Sequence, residues 1–472
     1  MAKEHTKADI KKLEKSLKAK PVFVWDQLSA DERTETFADA EDYKSFLDAA
    51  KTEREAVREI ETRVQAAGFE PLGASRTAKG FFASRMNKLA AVIVPGREPV
   101  SAGLRLIISH IDAPRLDLKP KPVYEDSDLA FLKTHYYGGI KKYQWMSRPL
   151  ALHGFVVKDD GRQVNLVLGE NEDDPVLTIA DLLPHLAQNV QADKKVRDAF
   201  PGEKLNLIVG SLPLGDEEVK DRFKLAFLDL LNQKYGLVEE DFLSAEFEAV
   251  PAGRARDLGF DRGLIGAYAQ DDRICSFTSL KALLQIREPS KTCLALFVDR
   301  EETGSDGATG AKSRFLEDIL ADLFEALGQN PTSNALRKAL IKTYALSADV
   351  NGALDPDYPE VHEKTNAARL GYGPCVTKFT GHRGKYNASE ASAEMMGWLR
   401  KIFKKDKVLW QSGLLGRIDE GGGGTVAMDL ARYGMEIVDC GPAILGMHSP
   451  FEIASKADVH MTIKAFGSFF KS

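Results

Sequence analysis

Apolar runs of strand length recur along this sequence and stop abruptly in histidine or acidic residues. LRLIISHID (104–112) ends in His110 and Asp112, and KTCLALFVDREE (291–302) ends in Asp299, Glu301 and Glu302. TYALSADV (343–350) reaches Asp349, and GMEIVDCG (434–441) is followed by Gly446-Met447-His448-Ser449. Runs that are apolar throughout fit strands covered on both faces. Helical patterns lie between them, at about 311–328, 332–342 and 389–405. Strands alternating with helices imply an α/β fold with a mixed, largely parallel sheet covered by helices. In such sheets ligands sit beyond the carboxyl ends of the strands. The polar residues at those ends are therefore the first candidates for function.

The rest of the chain punctuates that pattern. Residues 40–67 read as one amphipathic helix stopped by Gly68. GFFASR (80–85) and LAAVIVPG (89–96) read as strands around Met86-Asn87-Lys88. The texture then changes. LALHGFVV (150–157) and VNLVLG (164–169) flank a hairpin signal at Asp160-Gly161. A helix pattern runs from about 216 to Gly236. Roughly 113–255 is expected to be a separate, smaller α/β unit, interrupting a larger one made of 1–112 and 256–472.

Composition excludes several classes of function. A formal net charge of −6 gives no support for a nucleic-acid partner. No stretch approaches the roughly 18 apolar residues of a membrane span. The N-terminal MAKEHTKADIKKLEKSLKAK has no apolar centre, so it reads as a solvated helix face and not a secretory signal. The 4 cysteines form no CxxC pair and read as free thiols of a cytoplasmic protein.

The strand ends suggest metal chemistry. Residues two apart in an extended chain face the same side, so His110 and Asp112 can act together, His110 as a ligand and Asp112 as its outer carboxylate. The neighbouring carboxylates Glu301 and Glu302 repel unless cations or a shared proton compensate them. With Asp271, Asp349 and His448 they make a mixed nitrogen and oxygen set suited to divalent metals. If Asp271, Glu302 and Asp349 face two divalent ions, a bridging hydroxide brings the site near neutrality. Metal binding lowers the pKa of water to about 7, which makes such a hydroxide a nucleophile. Glu302 would face metal while Glu301, pointing the other way along an extended segment, faces the water as general base. His382, in Gly381-His382-Arg383-Gly384-Lys385, is a candidate for the substrate pocket.

At these residues the chain resembles the M18 family of metalloaminopeptidases. FLDAAKTEREAVREIETRVQAAGFEPL is similar to the family's N-terminal helix, and SRMNKLAAVIVPG to its hairpin. SHIDAPRLDLKP, QDDRICSF, FVDREETGS, SADVNGALDP, GPCVTKFTGHRGK and GMHSPFE then follow in the family's order. The resemblance implies a di-metal exopeptidase catalytic domain interrupted by a dimerisation domain, with dimers assembled into a tetrahedral dodecamer. It implies two divalent ions per chain, Zn first, with Co or Mn also accepted. His110 and Asp349 would hold one ion, Glu302 and His448 the other, and Asp271 would bridge them. Glu301 would be the base and Asp112 the outer partner. Lys378 matches a substrate-contacting lysine of the aspartyl branch. His185, in Pro184-His185-Leu186-Ala187-Gln188-Asn189, matches the first histidine of a motif whose second histidine is Asn189 here. Asp419-Glu420-Gly421 to Thr425 resembles the bacterial branch, which implies a neutral or broad preference as readily as an acidic one.

Other readings explain less. Gly421–Gly424 lacks the lysine and preceding strand of a phosphate-binding loop. Neither Cys275 nor Cys440 lies in an acyl-transfer motif. A non-catalytic assembly scaffold would have no need for stacked carboxylates. A di-metal amidohydrolase or dipeptidase uses the same logic and is the main rival. The expected activity is removal of N-terminal residues from small peptides with a free amino terminus.

Overall fold

The computed structural model describes residues 5–75 and 78–472. Of the basic N-terminal run, residues 1–4 lie outside the described residues; helix Lys7–Leu17 buries none of its side chains.

Strands Thr292–Val298, Leu104–His110, Tyr344–Ser347 and Glu436–Gly441 lie side by side and parallel at the centre of a nine-stranded sheet. Side chains alternate between two cores. Cys293, Ala295 and Phe297 enter one, while Leu294, Leu296 and Val298 enter the other. This two-sided burial is why these strands read as unbroken apolar runs. Helices Gln270–Leu284 and Lys456–Phe470 cover the first face, and Phe315–Ala326 covers the second. The flanks turn antiparallel. Strands Phe81–Arg85 and Leu89–Val94 form a hairpin through Met86 and Asn87, both at positive φ. Cys375–Thr377 runs against Glu436–Gly441 on the other side.

A second sheet of six antiparallel strands is drawn from the chain between Arg115 and Pro251. Helix Arg222–Tyr235 covers it, with Phe223, Phe227 and Leu231 in a core of its own. That helix begins later than periodicity suggests, after Asp221 in the left-handed region. A five-stranded sheet pairs Leu264–Ala267 with Glu452–Ser455, Ala267 opposite Glu452. That register brings the segment after Ala267 beside the segment before Glu452, and so Asp271 beside His448.

The single helix expected over 40–67 is two helices, Ala30–Ala49 and Glu53–Ala66. Thr52 and Glu55 form a reciprocal capping box that starts the second. The buried Arg273 guanidinium donates to the carbonyls of Ala50 (2.9 Å) and Lys51 (3.2 Å), stabilising the break. Among the described residues no helix is long and apolar enough to cross a membrane.

Candidate active site

The parallel strands deliver His110 and the segments after Val298 and Ser347 to one edge of the central sheet, where a cavity of about 240 Å³ opens. His110, Asp271, Glu301, Glu302, Asp349 and His448 all line it. His110 Nε2 lies 3.1 Å from Asp271 Oδ1 and 4.0 Å from Asp349 Oδ1. His448 Nε2 lies 3.3 Å from both Asp271 Oδ2 and Glu302 Oε1. Asp271 is thus shared between the two imidazoles.

Burial and charge set the protonation of the group. Burial, then the charge of Asp271, pushes Glu302 and Asp349 well above the usual carboxylate range. Burial, then Asp112 and Asp271, pushes Glu301 up to about 7. Burial alone would raise Asp271, but its bonds to His110 and His448 hold it below its ordinary value. Burial would lower both histidines; instead Asp112 and Asp271 hold His110 well above its usual range, and Asp271 with Glu302 holds His448 at about 10.

Does this set suit cations? Asp272, fully buried beside Asp271, has no hydrogen-bond partner on either carboxylate oxygen, and Glu302 Oε1 has none. Among the described residues, no lysine or arginine pairs with Asp271, Asp272, Glu301, Glu302 or Asp349. Ligand atoms of His110, Asp271 and Glu302 lie within 4.8 Å of one another, as do those of His110, Asp272 and Asp349. Buried, unneutralised carboxylates around imidazole nitrogens are what divalent cations require.

Asp112 sits behind His110 and is fully buried. His110 Nδ1 donates to the Asp112 carbonyl (3.1 Å), which leaves Nε2 as the outward atom. The Asp112 carboxylate accepts the backbone N–H groups of Glu301 and Glu302, each at 3.1 Å. The local backbone there differs from the expected extended segment. Arg300 is left-handed and Glu301–Thr303 form a 3₁₀ turn. Both glutamates therefore face the cavity from a clamped turn, and strand alternation plays no part.

The expected substrate residues separate. His382 lines the cavity. Lys378 does not: it is exposed, and strand alternation turns it away while Thr377 and Phe379 point in. His185 lies exposed on the short helix Pro184–Ala187 and does not line the cavity of its own chain. The Gly421–Gly424 loop closes one wall. Gly422 has φ +96°, and a Cβ there would meet the Gly381 carbonyl oxygen at 2.0 Å, so only glycine fits the crossing. Val350, Phe379, Leu415, Ile418 and Met447 make part of the remainder apolar, Arg383 and Arg417 also line it, and Lys385 is occupied by Glu390 at 2.9 Å.

Sequence reasoning missed Glu452. Its carboxylate accepts the N–H of Asp271 (3.1 Å) and of His448 (2.7 Å), tying both to one residue. Burial, then Asp271, pushes it up to about 8. Its place at the end of GMHSPFE was the only available signal. The other histidines with carboxylate partners are structural: His153 joins Glu55 and Glu170, and His460 bonds Asp39. All four cysteines are buried and free.

Comparison with known proteins accords with this geometry. The family model of the aminopeptidase I zinc metalloproteases (M18) matches residues 46–470. A Clostridium acetobutylicum protein named probable M18 family aminopeptidase 1 is 46% identical over 455 residues, covering 95% of this chain and 97% of that one. The crystal structure of an M18 aminopeptidase from Thermotoga maritima superposes with a TM-score of 0.92 at 44% identity, covering 96% of this chain and all (100%) of that one. The mApe1 dodecamer of S. cerevisiae shares the fold, with a TM-score of 0.73 at 20% identity over 92% of this chain and 96% of that one.

Proposed function

Because the chain belongs to the aminopeptidase I zinc metalloprotease (M18) family, and is an aminopeptidase of it, we propose that it removes single N-terminal residues from small peptides at the His110–His448 cavity, with two divalent cations and Glu301 as general base. The observation that carries this reading is the meeting of His110, Asp271, Glu302, Asp349 and His448 in one cavity beside partnerless carboxylate oxygens. His110 and Asp349 would hold one ion, Glu302 and His448 the other, and Asp271 both; Zn is the first choice, with Co and Mn compatible with the same donors. Cations bound there would polarise the scissile carbonyl and acidify water.

The chain's own groups do the rest. The Glu301 carboxylate takes a proton from the attacking water and returns it to the leaving amine. Asp112 fixes the His110 ring and the Glu301–Glu302 turn together. The acidic end of the cavity receives the peptide's free amino group, so cleavage stops after one residue. The apolar part of the wall, beside Arg383 and Arg417, suits a broad choice of N-terminal side chain, neutral or acidic. His382 would contact the substrate. Lys378 and His185, both outside their own chain's cavity, would act only toward another subunit. The six-stranded unit, 113–255, would be the dimerisation domain, with dimers building a tetrahedral dodecamer; the shared fold of the mApe1 dodecamer is compatible with this. Free buried thiols fit a cytoplasmic protein.

Blocking the amino group tests the exopeptidase reading. N-acetylated peptides are expected to lose at least about 100-fold in kcat/KM relative to their free forms, an apparent loss of about 2.7 kcal/mol. Efficient cleavage of blocked peptides would transfer the assignment to the deacylase rival. Cation uptake supplies a second test. His448, near 10, holds a proton at pH 7 in the metal-free protein, and Glu302 and Asp349, raised above their ordinary range, hold protons more readily than exposed carboxylates do. Ligation must displace them, so cation affinity weakens as pH falls. Calorimetric titration at pH 7 in buffers of different ionisation enthalpy should show net proton release. Equal heats in every buffer would contradict the ligand set.

A further inference from the structure

Strand Leu129–Tyr137 of the six-stranded sheet ends against the cavity of the other unit. There the Tyr137 hydroxyl donates to Asp112 Oδ2 at 2.8 Å. The same oxygen accepts the Glu302 N–H, while Oδ1 accepts that of Glu301 and lies 3.4 Å from His110 Nδ1. Two residues further on, the Gly139 carbonyl accepts from His448 Nδ1 at 2.9 Å. That bond commits Nδ1 as donor and turns Nε2 toward Asp271 and Glu302.

The segment between is closely fitted. Gly138 has φ +73°, and a Cβ there would stand 3.3 Å from Pro114 and 3.4 Å from the Glu302 side chain. The Tyr137 ring is held in turn by the Arg115 guanidinium, 4.0 Å from its centroid. Arg115 is fixed by Glu53, Asp117 and Glu248. The hydroxyl is therefore aimed by a rigid neighbourhood, and one short segment touches both ends of the proposed ligand set.

We propose that Tyr137 to Gly139 form a positioning strap, in which Tyr137 acts through Asp112 on His110 and the Glu301–Glu302 turn, and the Gly139 carbonyl presents His448 Nε2. Tyr137 touches no substrate; it is a positioning residue. The proposal rests on the reading of the cavity as a di-cation site. It also assigns the six-stranded sheet a direct part in building that site.

Tyr137→Phe removes one hydroxyl and leaves the ring on Arg115. The full chain, wild type and variant, is stripped of metal, and its affinity for Zn is measured by competition with a chromophoric chelator. kcat, KM and the thermal midpoint of the metal-free protein are recorded alongside. Partners of ligands of this kind contribute about 10–100-fold in metal affinity or activity. The expected result is Zn affinity and kcat each lower by roughly that factor, with KM within about twofold and the metal-free thermal midpoint shifted by no more than about 2 °C. Zn affinity and kcat both within about twofold of wild type would overturn the proposal. So would a loss matched by an equal fall in metal-free stability, which is what a merely structural tyrosine gives. A wild-type chain that binds no Zn would instead remove the underlying reading of the cavity.

Discussion

Glu301→Gln is expected to lower kcat by about 10²–10⁴-fold, the usual contribution of a positioned general base, with cation content unchanged. The substitution keeps the side chain's size. It also keeps the backbone N–H that Asp112 accepts at 3.1 Å, so the turn carrying Glu302 stays clamped. What is lost is the ability to accept a proton. Glu301 suits that task because burial, then Asp112 and Asp271, bring it to about 7 in the metal-free protein; bound cations would draw it lower, so the carboxylate form dominates at neutral pH. Single-turnover assays with metal analysis of the same sample check the expectation. A variant that retains near wild-type kcat at full loading would place the base elsewhere.

Exhaustive chelation is expected to abolish turnover, and Zn, Co or Mn to restore it. Stability should follow. Without cations, Asp271, Asp272, Glu302 and Asp349 confront one another with only two imidazoles between them, and both Asp272 oxygens and Glu302 Oε1 accept no hydrogen bond. A ligand present at about 1,000 times its Kd stabilises the folded state by about 4 kcal/mol. Zn titrated into stripped protein should therefore raise its thermal midpoint in parallel with activity. Full activity after metal is shown to be absent would end the di-cation reading.

The sequence displayed the residues that line the cavity more clearly than the elements that carry them. Strand ends could be read because two-sided burial makes parallel strands apolar to their last residue, and His110 and Asp349 stand where that run breaks. The hairpin at Asp160-Gly161 was legible from turn chemistry alone, and Gly161 indeed takes positive φ. Local rules failed where tertiary contacts decide. Arg273 holds open the break after Ala50 from across the fold. A left-handed Arg300 replaces the extended geometry that alternation assumed for Glu301 and Glu302. Glu452 meets Asp271 only because two strands of the five-stranded sheet pair in one register. Periodicity contains no trace of such meetings.

The reach of Tyr137 and Gly139 across to Asp112 and His448 bears on how this architecture can be rebuilt. Each unit has a core of its own, so excising the six-stranded sheet and sealing the gap could leave a well-packed remainder. That remainder would nevertheless be missing two contacts beside its cavity, one to Asp112 and one to His448. If the strap acts as proposed, any transplant of the six-stranded unit must bring equivalent contacts with it.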